Sequence, residues 1–486
     1  MVIWALFLVR GVFYCTMLPV WEGFDEYAHF ARFSQGALPR MNTPLTREVE
    51  RTFTLLPMPD QLAWIGPEVK IHPKWWALPD ASRAARLTAA RSIPAQEATL
   101  PAQGNFQSYE SQQGPLYYWV LWPFLQMAAG WNILERVLLA RLLSVLLASA
   151  AIPLVWLAGR NLAGQRLGLG AAAFLAISPM FALNAARVAN DCLAISWTAL
   201  LLVLLSAKRL HSWWIGLVLG SVLLTKAYAL TLLPALLVLL WRQRFVLGKA
   251  LGLGVLLGGW WYVRNILLTG RLTGWEDDAP LSTVLRSLPA VPWVHATSTV
   301  FKTALWFGGW SFLTARAWMY NVLLAILLLC VAAGWRRAGN FRAPWVMVAC
   351  FLAGMVYDVG AEFATQHATG TPGWYLWGVG AAFALLIAGG AGKWTAPVCA
   401  LLCVFDLFTA NFVLLPYYSG FAAHGRSFAA ISQLPAALDR LAVPHVLWIA
   451  FLAAGPVILV TLLTNHEVSF AASSSRVSDA LRPAGE

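Results

Sequence analysis

From residue 137 onward one long apolar run follows another, each cut from the next by a short polar or basic break. A run of roughly 18 or more apolar residues is what an α-helix needs to cross a bilayer. Spans are expected at 2–21, 137–159, 168–185, 192–207, 213–241, 245–265, 316–335, 343–358, 374–391, 394–416 and 445–464. The stretch 213–241 is long enough for a tight hairpin, which makes about twelve spans (11–13) by the hydropathy criterion. The runs are continuous rather than alternating, which argues against a β-barrel. Composition agrees: 59% of residues are hydrophobic and 12% charged, where a soluble domain carries about 25% charged. The expected fold class is an all-α polytopic membrane protein.

A net charge of +12 would suggest nucleic acid in a soluble chain. Here the basic residues sit in short loops: Arg160 and Arg166; Lys208 and Arg209; Arg242, Arg244 and Lys249; Arg336, Arg337 and Arg342; and Lys393. All fall on one side if 115–131 lies flat at the interface, and that side is then cytoplasmic. The same logic keeps 293–313, interrupted by Lys302, in the interface. No nucleic-acid partner is expected; membrane lipids are. The six cysteines lie in or beside apolar runs and offer no disulfide framework. The N-terminus lacks a basic n-region and reads as a retained first span. The chain thus divides into a transmembrane domain, 1–464, whose first outer loop is 22–135, and a polar tail, 465–486. Multi-pass insertion in a bacterial inner membrane is the expected location.

With that topology, polar residues gather on the outer face. WEGFDEYAHFARF follows the first span and carries Asp25 and Glu26. Arg187, Asn190 and Asp191 sit at an outer turn, Lys226 in the middle of the hairpin, and Arg264 and Asn265 at a span end. Glu362, Gln366, His367 and Tyr375 belong to a late outer loop. Acids and bases alternating around one mouth suit a substrate with an anionic head and a hydroxyl that must lose a proton.

Each residue has a plainer reading. Asp25 and Asp191 can cap helices. Neighbours on a helix point about 100° apart, so Asp25 and Glu26 do not share one site easily. Asp25 and His29, at i and i+4, supply two metal ligands where a site needs more; a divalent metal lacks a clear ligand set and no cofactor is assigned. Lys226 can snorkel to the outer turn. Arg264, beside Trp260 and Trp261, can be an interfacial anchor, although its planar fork also suits a phosphate. Arg10, inside the first span, either snorkels or pairs with Asp406 deep in LLCVFDLFTANF.

The order of these pieces resembles a known group. A first span, an acidic pair and a long outer loop lead into GPLYYW. SPMFALNAARVANDCLA, LLTKAYALTLLP and WWYVRNILLTG follow. This is similar to the GT-C membrane glycosyltransferases, nearest the protein mannosyltransferase and aminoarabinose-transferase branch and a related family of bacterial membrane proteins. The resemblance covers roughly residues 1–380 by motif order. It implies transfer of a sugar from a polyprenyl-phosphate donor to an acceptor (protein, lipid or glycan) outside the membrane. It implies Asp25, with Glu26 beside it, as the base, Asp191 as a second acidic position, and Lys226 and Arg264 as holders of the lipid phosphate. Where relatives carry Arg-Tyr, this chain has Trp374 before Tyr375, so the Arg role there is open and His367 is a candidate substitute. The rival reading is a transporter or flippase of lipid-linked sugars; such proteins usually show inverted repeats and mid-membrane polar residues.

Overall fold

The structure is a computed structural model. It describes residues 1–275, 279–335, 341–422 and 428–480, with 428–430 and 465–480 described by backbone only. Arg336, Arg337 and the end of the predicted tail lie outside the described residues.

A helix underlies every expected span, and the chain is an all-α integral membrane protein. Six helices among the described residues are long and apolar enough to cross a membrane: Ile133–Ala163, Arg244–Thr269, Ala317–Trp335, Arg342–Gln366, Gly373–Tyr418 and His445–Thr464. A seventh forms if Gln165–Ile177 and Pro179–Ala185, bent by 65°, count together. The bend falls where Pro179 starts the second helix. A proline disfavours helical backbone at the residue before it, and Ser178 is accordingly extended. The remaining expected spans are shorter apolar helices: Val2–Met17, Asp191–Leu205, Ser212–Leu223 and Ala227–Leu240. The two spans expected at 374–391 and 394–416 fall in the single segment Gly373–Tyr418.

The two segments expected to lie in the interface form short helices. Leu116–Met127 has 12 residues, Trp293–Leu305 has 13, and a helix rises only about 1.5 Å per residue. The first exposes Trp119, Trp122 and Phe124. The loop 22–135 is ordered by short helices, Glu26–Arg32, Arg47–Leu55 and Asp80–Arg91 among them. A two-residue parallel pair, Pro57–Met58 with Lys70–Ile71, joins them.

The hairpin expected at 213–241 is open rather than tight. Its arms turn at Lys226, which is extended, but they scarcely touch one another. The first arm instead lies along Arg244–Thr269, running parallel to it. Glycines four residues apart let the two backbones approach: Gly216 and Gly220 on one helix, Gly254 and Gly258 on the other. A Cβ on Gly258 would fall 2.6 Å from Leu223 Cβ, whereas one on Gly252, on the same helix, would meet nothing within 4 Å. Gly258→Leu is therefore expected to cost about 1–3 kcal/mol by overpacking, and Gly252→Leu far less. Thermal unfolding of both variants in detergent checks this; equal loss would mean that the close approach is not what holds the pair.

Deep in the bundle, Arg10 and Asp406 meet. Arg10 Nη2 donates to Asp406 Oδ2 at 2.8 Å and to Ile177 O at 2.9 Å, and Tyr14 Oη donates to Asp406 Oδ1 at 2.6 Å. Of the two sequence readings of Arg10, the structure selects the partner.

Candidate active site

Five separate pieces of sequence converge on one cavity of about 350 Å³. The first is the segment 110–116. Trp261 Nε1 and Asn265 Nδ2 donate to Gln112 O at 2.7 and 3.1 Å. Asn190 Nδ2 reaches Gln113 Oε1 at 3.1 Å, and Leu116 N donates to Leu224 O at 3.0 Å. Gly114 is required there, because a Cβ would lie 2.3 Å from Leu224 O. The GPL turn is thus clamped onto the tip of the open hairpin, and Glu110 is carried to the cavity wall beside Lys226.

Lys226 is buried at that tip. Its Nζ donates to Asn190 Oδ1 at 2.9 Å and lies 3.2 Å from Asp191 Oδ2. Arg187 Nη2 takes the same Asp191 oxygen at 3.0 Å. Asp191 therefore balances two cations, and neither it nor Asn190 caps the helix Asp191–Leu205 through a side chain. Lys226 is not snorkelling to water. Its ammonium sits 5.6 Å from the ring centre of Tyr375, and both line the cavity.

Asp25 precedes the helix Glu26–Arg32 in a left-handed conformation, φ 59°, again without a side-chain cap. Its Oδ1 accepts from Tyr109 Oη at 2.7 Å. Burial pushes its carboxyl above the ordinary carboxylate value, while the Tyr109 donor and the charges of Arg187 and Lys226 oppose that rise. Phe24 stacks on Trp374 with centroids 3.7 Å apart, which seats the first loop against the strand of chain bearing Tyr375. Trp374 is therefore taken up by packing.

Other candidates are engaged elsewhere. Glu26 is buried and faces away from the cavity: Arg141 Nε donates to it at 2.7 Å, and the amides of Trp21 and Val188 at 3.0 and 3.1 Å. That is a structural pairing, and of the two neighbours it leaves Asp25 as the one within reach of the charges of Arg187 and Lys226. Arg264 stacks its guanidinium 4.3 Å over Trp261 and donates to Pro39 O and to Asn265. It braces the outer loop instead of lining the cavity. Glu362 reaches the cavity rim but accepts from the amides of Gly370 and Thr371 at 2.7 and 2.8 Å. His367 ends the helix Arg342–Gln366 with φ 56°, exposed, its ring against Phe363.

Two groups were not singled out by sequence. Tyr109 holds Asp25. Glu110, 2% exposed, stands 3.7 Å from His29 Nδ1, which in turn bonds Tyr118 Oη at 2.7 Å. Burial, with Lys226 and Arg187 nearby, holds His29 neutral well below its usual value. So Asp25 and His29 do not act as a ligand pair; each has its own tyrosine. Among the described residues no group of three or more His, Cys, Asp or Glu could hold a metal ion. The signal available for Glu110 was a lone acid in an otherwise uncharged stretch, five residues before Pro115.

Residues 112–259 match the family model described as dolichyl-phosphate-mannose-protein mannosyltransferase. No curated protein matches the chain. Two solved structures are similar, both of ArnT from Cupriavidus metallidurans. The one bound to undecaprenyl phosphate is 14% identical, over 77% of this chain and 71% of that one, with a TM-score of 0.41. The apo one is 13% identical, over 89% and 74%, with a TM-score of 0.40. The segment similar to that mannosyltransferase family, 112–259, carries Asn190, Asp191 and Lys226 of the site.

Proposed function

We propose that the chain transfers a sugar from a polyprenyl-phosphate-linked donor to an acceptor hydroxyl at the extracytoplasmic face, with Asp25 as general base. The observation that carries this reading is Lys226. A buried ammonium on the wall of a cavity, within electrostatic range of a half-buried carboxylate at Asp25, separates an anion-holding group from a proton-accepting one. Transfer needs both. The phosphate is anionic from binding until it leaves with its bonding electrons, and it needs a cation facing it throughout. The acceptor hydroxyl loses its proton to a positioned carboxylate as its oxygen attacks the sugar carbon. Arg187 and Asp191 set the field around Lys226, and the ring of Tyr375 stands 5.6 Å from its ammonium on the same wall. The apolar side of the cavity, with Phe351 and Met355, gives the isoprenoid chain a way in. The acceptor is a hydroxyl-bearing protein, lipid or glycan.

Lys226→Ala tests the assignment. A charge-assisted contact is worth about 1.5–3 kcal/mol, so the donor KM is expected to rise about 10- to 100-fold while turnover at saturation falls far less. An unchanged donor dependence would remove Lys226 from the phosphate.

A further inference from the structure

Glu110 is a buried carboxyl with no anchoring donor among the described residues. Its Oε2 has no hydrogen-bond partner, and the nearest basic nitrogen, His29 Nδ1, is spent on Tyr118. On its C-terminal side the Gln112 carbonyl is pinned by Trp261 and Asn265, and the Gln113 side chain by Asn190. The carboxyl therefore stays on the cavity wall, in the same hollow as Lys226. A buried ionised carboxylate without donors is costly, and neutralising it is the usual relief.

We propose that Glu110 is a second anion-binding residue, a carboxylic acid whose O–H donates to an oxygen of the lipid-linked phosphate held by Lys226. This rests on the lipid-phosphate reading of that cavity. An ionised Glu110 would repel the phosphate; a protonated one supplies the donor that Lys226, already shared with Asn190 and Asp191, cannot provide alone.

The surroundings set the direction. Burial raises the Glu110 carboxyl to about 8; Lys226 and Arg187 pull it down, and Asp25 and Asp191 push it up. His29 faces it uncharged, and Tyr109 and Tyr118 face it as neutral phenols. An arriving anion raises it further, so binding takes up a proton at alkaline pH. As pH rises past the free group's value, affinity falls by up to about tenfold per pH unit. The second ionisation of a phosphate monoester, near 6, lies outside that window, at about pH 7.5–9.5.

The test measures undecaprenyl phosphate binding to the full chain in detergent from pH 7.5 to 9.5. Wild type is expected to weaken with rising pH. Glu110→Gln, whose amide donates at every pH, is expected to bind within a few-fold of wild type at pH 7.5 and to stay flat. Calorimetry of wild type at pH 8.5, in two buffers of different ionisation enthalpy, is expected to show uptake of roughly 0.7 of a proton, and it needs no variant to fold. A wild-type affinity that does not change with pH, a Glu110→Gln profile that follows the wild type, or no proton uptake would overturn the Glu110 assignment alone. Wild type that fails to bind undecaprenyl phosphate at any pH would overturn the lipid-phosphate reading and the Glu110 assignment with it.

Discussion

Asp25→Asn is expected to lower sugar transfer by about 10²–10⁴-fold, the usual contribution of a positioned general base, while leaving the fold nearly unchanged. Asn retains an oxygen to accept from Tyr109, whose hydroxyl now lies 2.7 Å from Asp25 Oδ1, so packing and hydrogen bonding survive and only basicity is lost. Because the group is not capping its helix, no helix end is released. Membranes loaded with a labelled polyprenyl-phosphate sugar give the rate, and thermal unfolding of the same preparation gives the stability. The signature is a fall in turnover with donor KM nearly constant, the reverse of the Lys226→Ala pattern. The pH profile follows from the raised carboxyl. A base must be ionised to act, so activity falls as pH drops through the folded-state value of Asp25, which burial has moved above the ordinary carboxylate range. The acid limb should therefore lie higher than an exposed aspartate would put it. Glu26→Gln is the contrast: its carboxylate is tied to Arg141 and two backbone amides, so that change should cost stability first. Full transfer by Asp25→Asn would take the base role away from it.

Much of this arrangement can be read from residue order, for a physical reason. Apolar runs of membrane length have few alternatives in lipid, since every backbone polar group must bond within its own helix. Basic loops then sort the ends. That reasoning places Asp25, Asp191 and Lys226 at one level of the bundle, where the structure brings them together. It also selects a flat course for 115–131, a choice that rests on the basic loops and not on helix length, since Ser212–Leu223 has the same 12 residues. What stays hidden is side-chain direction inside an irregular loop. Glu26 and Asp25 are neighbours, yet a left-handed turn at Asp25 sends one to Arg141 and the other to Tyr109. Arg264 shares a motif with Asn265, but the ring of Trp261 and the Pro39 carbonyl draw it off the cavity. Glu110 sits in a stretch with no periodicity at all. Only the clamp formed by Asn190, Leu224 and Trp261, three residues far apart in sequence, gives it a position.

Asp406→Ala should produce the largest loss of stability, about 3–5 kcal/mol, as expected when one partner of a buried ion pair is removed. Arg10 is 1% exposed and Asp406 2%, and Arg10 Nη1 already lacks a partner. Without the carboxylate, the guanidinium keeps only the Ile177 carbonyl, and Tyr14 loses its acceptor. A charge left alone among packed helices cannot be repaired by snorkelling, because the first span holds Arg10 mid-helix between Phe7 and Phe13, both fully buried. Replacing both charges is a different matter. The attraction within a buried pair is largely offset by desolvation, so Arg10→Met with Asp406→Leu should recover most of the stability lost by either single change. The measurement is detergent unfolding of the two singles and the double, read as a double-mutant cycle. Strong coupling means that the pair clamps the first helix against the segment Gly373–Tyr418, and with it the mouth where Asp25 begins. Additive losses would mean that each side chain acts through its own contacts, and that the first helix is held instead by packing on its other neighbour, the helix that starts at His445, where Phe13 and Phe451 stack 4.0 Å apart.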